Sequence, residues 1–86
     1  MAFVVELSPA ARAHLGAMRA WDQQIIADAV DKQLTHEPEK PTRNRKRLQS
    51  NQLATWELRV GAFRAFYDVL SEEGRVVVVA RNERNF

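Results

Sequence analysis

The stretch from Leu53 to Val69, Leu-Ala-Thr-Trp-Glu-Leu-Arg-Val-Gly-Ala-Phe-Arg-Ala-Phe-Tyr-Asp-Val, constrains this chain more than any other part of it. Two alternating runs meet at Gly61-Ala62, and a Gly-X pair suits a two-residue hairpin turn of type II′. In that register Trp56 faces Tyr67, Leu58 faces Ala65 and Val60 faces Phe63, so one side of the hairpin is nearly all apolar and is the core side. Arg59 faces Arg64 on the other side, together with Thr55, Glu57, Phe66 and Asp68. Two arginines directly across a ladder repel each other. An anion held between their guanidinium forks relieves the repulsion, because those forks match phosphate oxygens in pairs. Glu57 and Asp68 relieve it equally well as ordinary surface salt bridges, which on these residues alone is the simpler reading.

The following residues extend the pattern. Ser71-Glu72-Glu73-Gly74 is a turn signal, and Arg75 to Ala80 is a β-branched run of strand length. If those four residues form the loop, Arg64 faces Arg81. Arg59, Arg64 and Arg81 then make a row across three neighbouring strands, provided no bulge interrupts the ladder. Such a row reads as a phosphate-binding stripe, with Phe66 near enough for a base to stack on.

The first half reads as scaffold. Phe3 to Leu7 is a short apolar strand. Ser8 before Pro9 is a strong helix start, a hydroxyl at the cap and a preset φ in the first turn. Ala11, Leu15 and Met18 follow at helical spacing. Asp22 is the expected cap of a second helix, in which Ile26, Ala29, Val30 and Leu34 recur at steps of three and four. Trp21 sits at the joint, where it is expected to plug the core under the helical pair. Pro38 after Glu37 stops the helix. A polar connection then runs from Pro38 to Gln52, and loops of this length in a compact domain are often functional.

Size and charge bound the rest. A chain of 86 residues is one small domain, and it buries only roughly 60–65% of its unfolded surface. There is no cysteine to cross-link it, so a partner that adds apolar burial is expected. The longest apolar run, Val76 to Ala80, is far short of the ~20 residues of a membrane span, and the N-terminus lacks the pattern of a secretory signal. A soluble, cytoplasmic domain with no membrane contact is expected. Residues 1–39 carry three basic and six acidic side chains, whereas residues 40–86 carry ten basic and five acidic. Five of the positive charges, Lys40, Arg43, Arg45, Lys46 and Arg47, fall within eight residues. This run leads straight into the arginine-bearing hairpin, so both could act on one polyanion. No metal-ligand spacing, Gly-rich phosphate loop or nucleophile elbow is present, and neither His14 nor His36 has a carboxylate pattern around it. No cofactor or metal is therefore expected, and any catalysis falls to arginine and lysine electrostatics.

The order strand, helix, helix, strand, strand, strand, the basic approach Arg43 to Leu48 and the motif Leu58-Arg59-x-Gly61-x-Phe63-Arg64-x-x-Tyr67 resemble the RelE/ParE toxin superfamily of bacterial toxin–antitoxin systems. The resemblance covers essentially the whole chain as a single domain, residues 1–86. It implies an α+β fold, RelE-like β-α-α-β-β-β, with a helical hairpin packed on a twisted antiparallel sheet. It further implies a ribosome-dependent mRNA endoribonuclease (an mRNA interferase) that inhibits translation. Arg64, Arg59 and Arg81 would be its catalytic charge donors, and Arg84 a further candidate. Lys40, Arg43, Arg45, Lys46, Arg47 and Phe66 would bind ribosomal or messenger RNA.

The implied partners are a cognate antitoxin, the ribosome and mRNA, with operator DNA reached only through the antitoxin complex. Two departures keep other members of the superfamily in view. Thr55 and Glu57 stand where some ribonuclease members carry lysines, and no tyrosine or histidine follows the last strand. A ParE-like inhibitor of DNA gyrase needs neither feature. A catalytically inactive member that only binds antitoxin is the third possibility.

Overall fold

The computed structural model describes the backbone of residues 2–48 and 54–83, and the side chains of these up to residue 79. Strand β1 (Val4–Leu7) leads into helices α1 (Pro9–Gly16) and α2 (Ala20–Leu34). Four further strands follow: β2 (Arg45–Arg47), β3 (Trp56–Val60), β4 (Phe63–Leu70) and β5 (Arg75–Glu83). They form one five-stranded sheet in the order β1-β5-β4-β3-β2. The sheet is mixed, because β1 runs parallel to β5 while every other pair is antiparallel. The α+β architecture expected from the resemblance is present, with β1 as the parallel exception and β2 as an additional short edge strand.

The central hairpin has the register that its alternation requires, with Trp56 paired to Tyr67 and Arg59 to Arg64. Gly61 supplies the positive φ of 59° at the turn, a conformation that costs glycine nothing. The side of the sheet under the helices carries Trp56, Leu58, Val60, Ala65, Tyr67, Val76 and Val78, all buried against Ala11, Ile26, Val30 and Leu34. Each buried valine, leucine or isoleucine here contributes about 1.5–3 kcal/mol, so this layer holds the domain together. Trp56 and Tyr67 stack across the ladder with ring centroids 6.1 Å apart.

The start of α1 is tied to an irregularity in the sheet. Ser8 Oγ accepts from the Ala11 amide at 3.0 Å and donates to the Val79 carbonyl at 2.7 Å. Val79 is the extra residue of a bulge, since Tyr67 pairs with Val78 but Phe66 pairs with Ala80. The same hydroxyl therefore caps a helix and satisfies a carbonyl that the bulge takes out of the ladder.

Two expectations about α2 are overturned. Arg19, not Asp22, is the N-cap residue, and the Asp22 carboxylate accepts from Arg19 Nε at 3.0 Å within the first turn. Trp21 does not plug the core, because it is 74% exposed. The reason is helical phase. At about 100° per residue, Trp21 lies roughly half a revolution from the inward-facing Val30.

The first residues of the polar connection after α2 are held by hydrogen bonds to β4 and the turn that follows it, while residues 49–52 of the connection lie outside the described residues. The Tyr67 hydroxyl donates to the buried Pro38 carbonyl at 2.8 Å, and Ser71 Oγ donates to Glu39 at 2.7 Å. Burial drives the Tyr67 pKa far above its ordinary value, an effect opposed by nearby Arg45 and reinforced by Glu39. The fold thus keeps the phenol neutral and donating. Tyr67→Phe leaves the Pro38 carbonyl without its donor and is expected to cost about 1–3 kcal/mol, measured as a lower urea midpoint with an unchanged slope.

Candidate functional site

The face of the sheet opposite the helices gathers Glu57 and Arg59 from β3 with Arg64 and Phe66 from β4. Strand pleating decides which cations of the basic run join them. Arg45 pairs with Leu58, Lys46 with Glu57 and Arg47 with Trp56. Successive side chains point to opposite faces, so only Lys46 shares the face of Arg59 and Arg64. Arg45 and Arg47 fall on the helix side, where the Arg47 guanidinium lies 5.9 Å from the centroid of the Trp56 ring. Lys40, Arg43, Lys46 and Arg47 are all exposed along this edge. Lys40 also approaches Glu37 at 3.5 Å.

Arg45 does not belong to a binding surface. It is 8% exposed, and its guanidinium donates to the carbonyls of Gln33 and His36 at the end of α2. Those carbonyls lack intrahelical partners, and a cation there also meets the negative end of the helix dipole. The basic run therefore divides into one structural arginine and four exposed cations.

Phe66 is likewise not available as a stacking platform. It is 6% exposed and packs with Ala54, Leu48 and Val79 in a second, smaller apolar cluster. Arg64 lies over it, with the guanidinium carbon 5.7 Å from the ring centroid. The row of three arginines does not form either. Past the bulge Arg64 pairs with Asn82, and Arg81 pairs with Ala65. One inserted residue in β5 is sufficient to move Arg81 out of line. Arg84, a further candidate charge donor, lies outside the described residues.

The remaining pair of arginines is neutralised from within. The Glu57 side chain is only 3% exposed, and its oxygens lie 3.2 Å from Arg64 Nη1 and 3.8 Å from Arg59 Nε. The salt-bridge reading of the hairpin thus holds for Glu57. It does not hold for Asp68, whose carboxylate accepts instead from the Thr55 amide at 2.8 Å. Arg59 and Arg64 keep 42% and 32% of their side chains exposed, so their outer edges still face solvent. The buried role of Glu57 had one signal in the sequence, its place directly opposite Phe66, but nothing local showed that Leu48 and Val79 would pack on the cluster of Phe66.

Chemically, the face offers fixed positive charge and, among the described residues, no histidine or tyrosine to carry a proton. Neither histidine lies on the strands that build it, and Tyr67 points into the core. Among the described residues no group of three or more His, Cys, Asp or Glu is placed to hold a metal ion. No helix among them is long and apolar enough to cross a membrane.

Comparison with known proteins adds the following. The fold is similar to the toxin–antitoxin complex RelBE2 from Mycobacterium tuberculosis, with a TM-score of 0.84 and 23% identity over 98% of this chain and 93% of that one. It is also similar to the archaeal RelE–RelB complex from Pyrococcus horikoshii OT3, with a TM-score of 0.78 and 15% identity over 99% and 98% of the two chains. Among curated proteins nothing matches the chain. The model of the ParE toxin of the type II toxin–antitoxin system parDE matches residues 5–84. The chain, with its helical pair over a sheet whose far face is arginine-bearing, therefore belongs to the ParE toxin family of type II toxin–antitoxin systems.

Proposed function

We propose that this toxin inhibits translation by cutting ribosome-bound mRNA, with phosphates met by the far face of the sheet and its basic edge. The observation that carries the reading is the gathering of Lys46, Arg59 and Arg64 on one face by strand register, flanked by the exposed Lys40, Arg43 and Arg47. A polyanion running along this edge meets cations from three successive segments of chain, and each neutralised phosphate strengthens binding by releasing counterions. Arg64 is the candidate donor nearest the chemistry, acting by charge stabilisation. The ribosome supplies the alignment of the attacking 2′-hydroxyl. A cognate antitoxin is the partner that restrains the activity.

A second reading has its own support. Glu57 already neutralises part of the arginine charge, and among the described residues the face carries no histidine or tyrosine to act as general acid or base, both of which suit a toxin that disables DNA gyrase by binding. One pair of assays separates the two. Induced in cells, a ribonuclease leaves cuts in ribosome-bound mRNA and spares naked RNA and DNA supercoiling. We expect that pattern. Intact mRNA together with blocked supercoiling would replace the first reading with the second.

A further inference from the structure

Glu57 is the unusual group on this face. A carboxylate 3% exposed and paired across the ladder with Phe66, whose ring forms an apolar floor with Ala54, Leu48 and Val79, carries a desolvation cost of several kcal/mol unless it is well paired. Its partners are the two arginines that the rest of the face presents to solvent. Arg64 contributes Nη1 to it, while Arg64 Nε is buried with no hydrogen-bond partner. The guanidinium is thus drawn toward Glu57 at the expense of half of its own fork.

We propose that Glu57 is a specificity-determining residue that acts as a built-in counter-ion. It occupies the inner side of the Arg59–Arg64 pair and competes there with a nucleic-acid phosphate, which meets the centre of the sheet more weakly than it would without the carboxylate. The proposal deepens the nucleic-acid reading above and rests on it for its biological meaning, though not for its test. The physical basis is competition. A carboxylate fixed on the same strand faces the arginines at an effective concentration that a free phosphate in solution does not reach. The apolar floor lowers the local dielectric and strengthens the tethered pair. Phosphate contact is thereby shifted outward, to Lys46 and the cations of the edge. Glu57→Gln preserves shape and removes the charge, so it returns both arginines to an incoming phosphate.

The test is binding of a short oligouridine to the full chain across a salt series, with thermal melts to verify folding. Glu57→Gln is expected to bind about tenfold more tightly, with a salt slope steeper by roughly 0.7 per phosphate newly contacted. Arg64→Ala is expected to cost about tenfold more affinity in the Glu57→Gln background than in the wild-type chain, so that the double variant loses the gain. A folded Glu57→Gln chain that binds no more tightly overturns the proposal, and so does an equal loss on Arg64→Ala in both backgrounds. Glu57→Leu, which sets an apolar side chain on the same floor, replaces Glu57→Gln if the latter does not fold, and a folded Glu57→Leu chain no tighter than wild type overturns the proposal. The two readings also fail separately. A wild-type chain that does not bind RNA while Glu57→Gln does upholds the counter-ion and removes the RNA function. Wild-type binding that loss of the Glu57 charge does not strengthen upholds RNA binding and removes the counter-ion.

Discussion

Replacing Lys40, Arg43 and Lys46 together with alanine is expected to weaken RNA binding by roughly 10–100-fold near physiological salt and to relieve growth inhibition. The estimate follows from counterion release. Each single-strand phosphate contact adds about 0.7 to the salt slope, so losing three removes about 2. Lys46 stands on the far face, and Lys40 and Arg43 precede β2 on the exposed edge. None of the three is buried, so the fold should lose little beyond exposed pairs worth ~0–1 kcal/mol, such as Lys40 with Glu37. Fluorescence anisotropy over a salt series gives both affinity and slope. A variant that keeps the wild-type slope and remains toxic would show that the basic edge is only a solvated surface.

Arg45→Ala should do the reverse, with a large loss of stability and little change in the salt slope. The side chain is buried and its guanidinium joins β2 to the last turn of α2 through the Gln33 and His36 carbonyls. Hydrogen bonds from a charged donor are worth about 1.5–3 kcal/mol, and removal also leaves two acceptors unpaired. A loss of about 2–4 kcal/mol is expected, seen as a lower urea midpoint. If Arg45→Ala melted like the wild type while its RNA slope fell by about 0.7, the arginine would belong to the binding surface after all. Comparing this variant with the triple substitution separates structural from functional charge within a run of eight residues that looks uniform when read linearly.

Register in the central hairpin was legible because two local signals coincide there. Gly61-Ala62 specifies a tight turn, and period-2 alternation specifies the core side, so the Trp56–Tyr67 and Arg59–Arg64 pairs follow without long-range information. The α1 start at Ser8-Pro9 and the Ile26, Val30, Leu34 stripe of α2 were legible for similar reasons. The last hairpin behaved differently. Its loop placed Leu70 opposite Arg75 as expected, but the run of four valines after Arg75 carries no alternation to reveal an inserted residue. The bulge at Val79 is anchored from outside by Ser8, and it moved Arg81 away from Arg64.

The candidate site was less legible than the fold, because membership of a face depends on partners distant in the chain. Five cations near one another in sequence look equivalent, yet pairing of β2 with β3 sends Lys46 to one side and Arg45 and Arg47 to the other. Nothing near Phe66 announces that Leu48, Ala54 and Val79 will pack with it, and nothing near Glu57 announces that it will be buried. Residues 53–69 on their own dictated a hairpin with one apolar side and paired arginines on the other. Which of those arginines keep their charge for a ligand was settled only by packing across four strands, since burial and ion pairing are properties of neighbours that local periodicity does not encode.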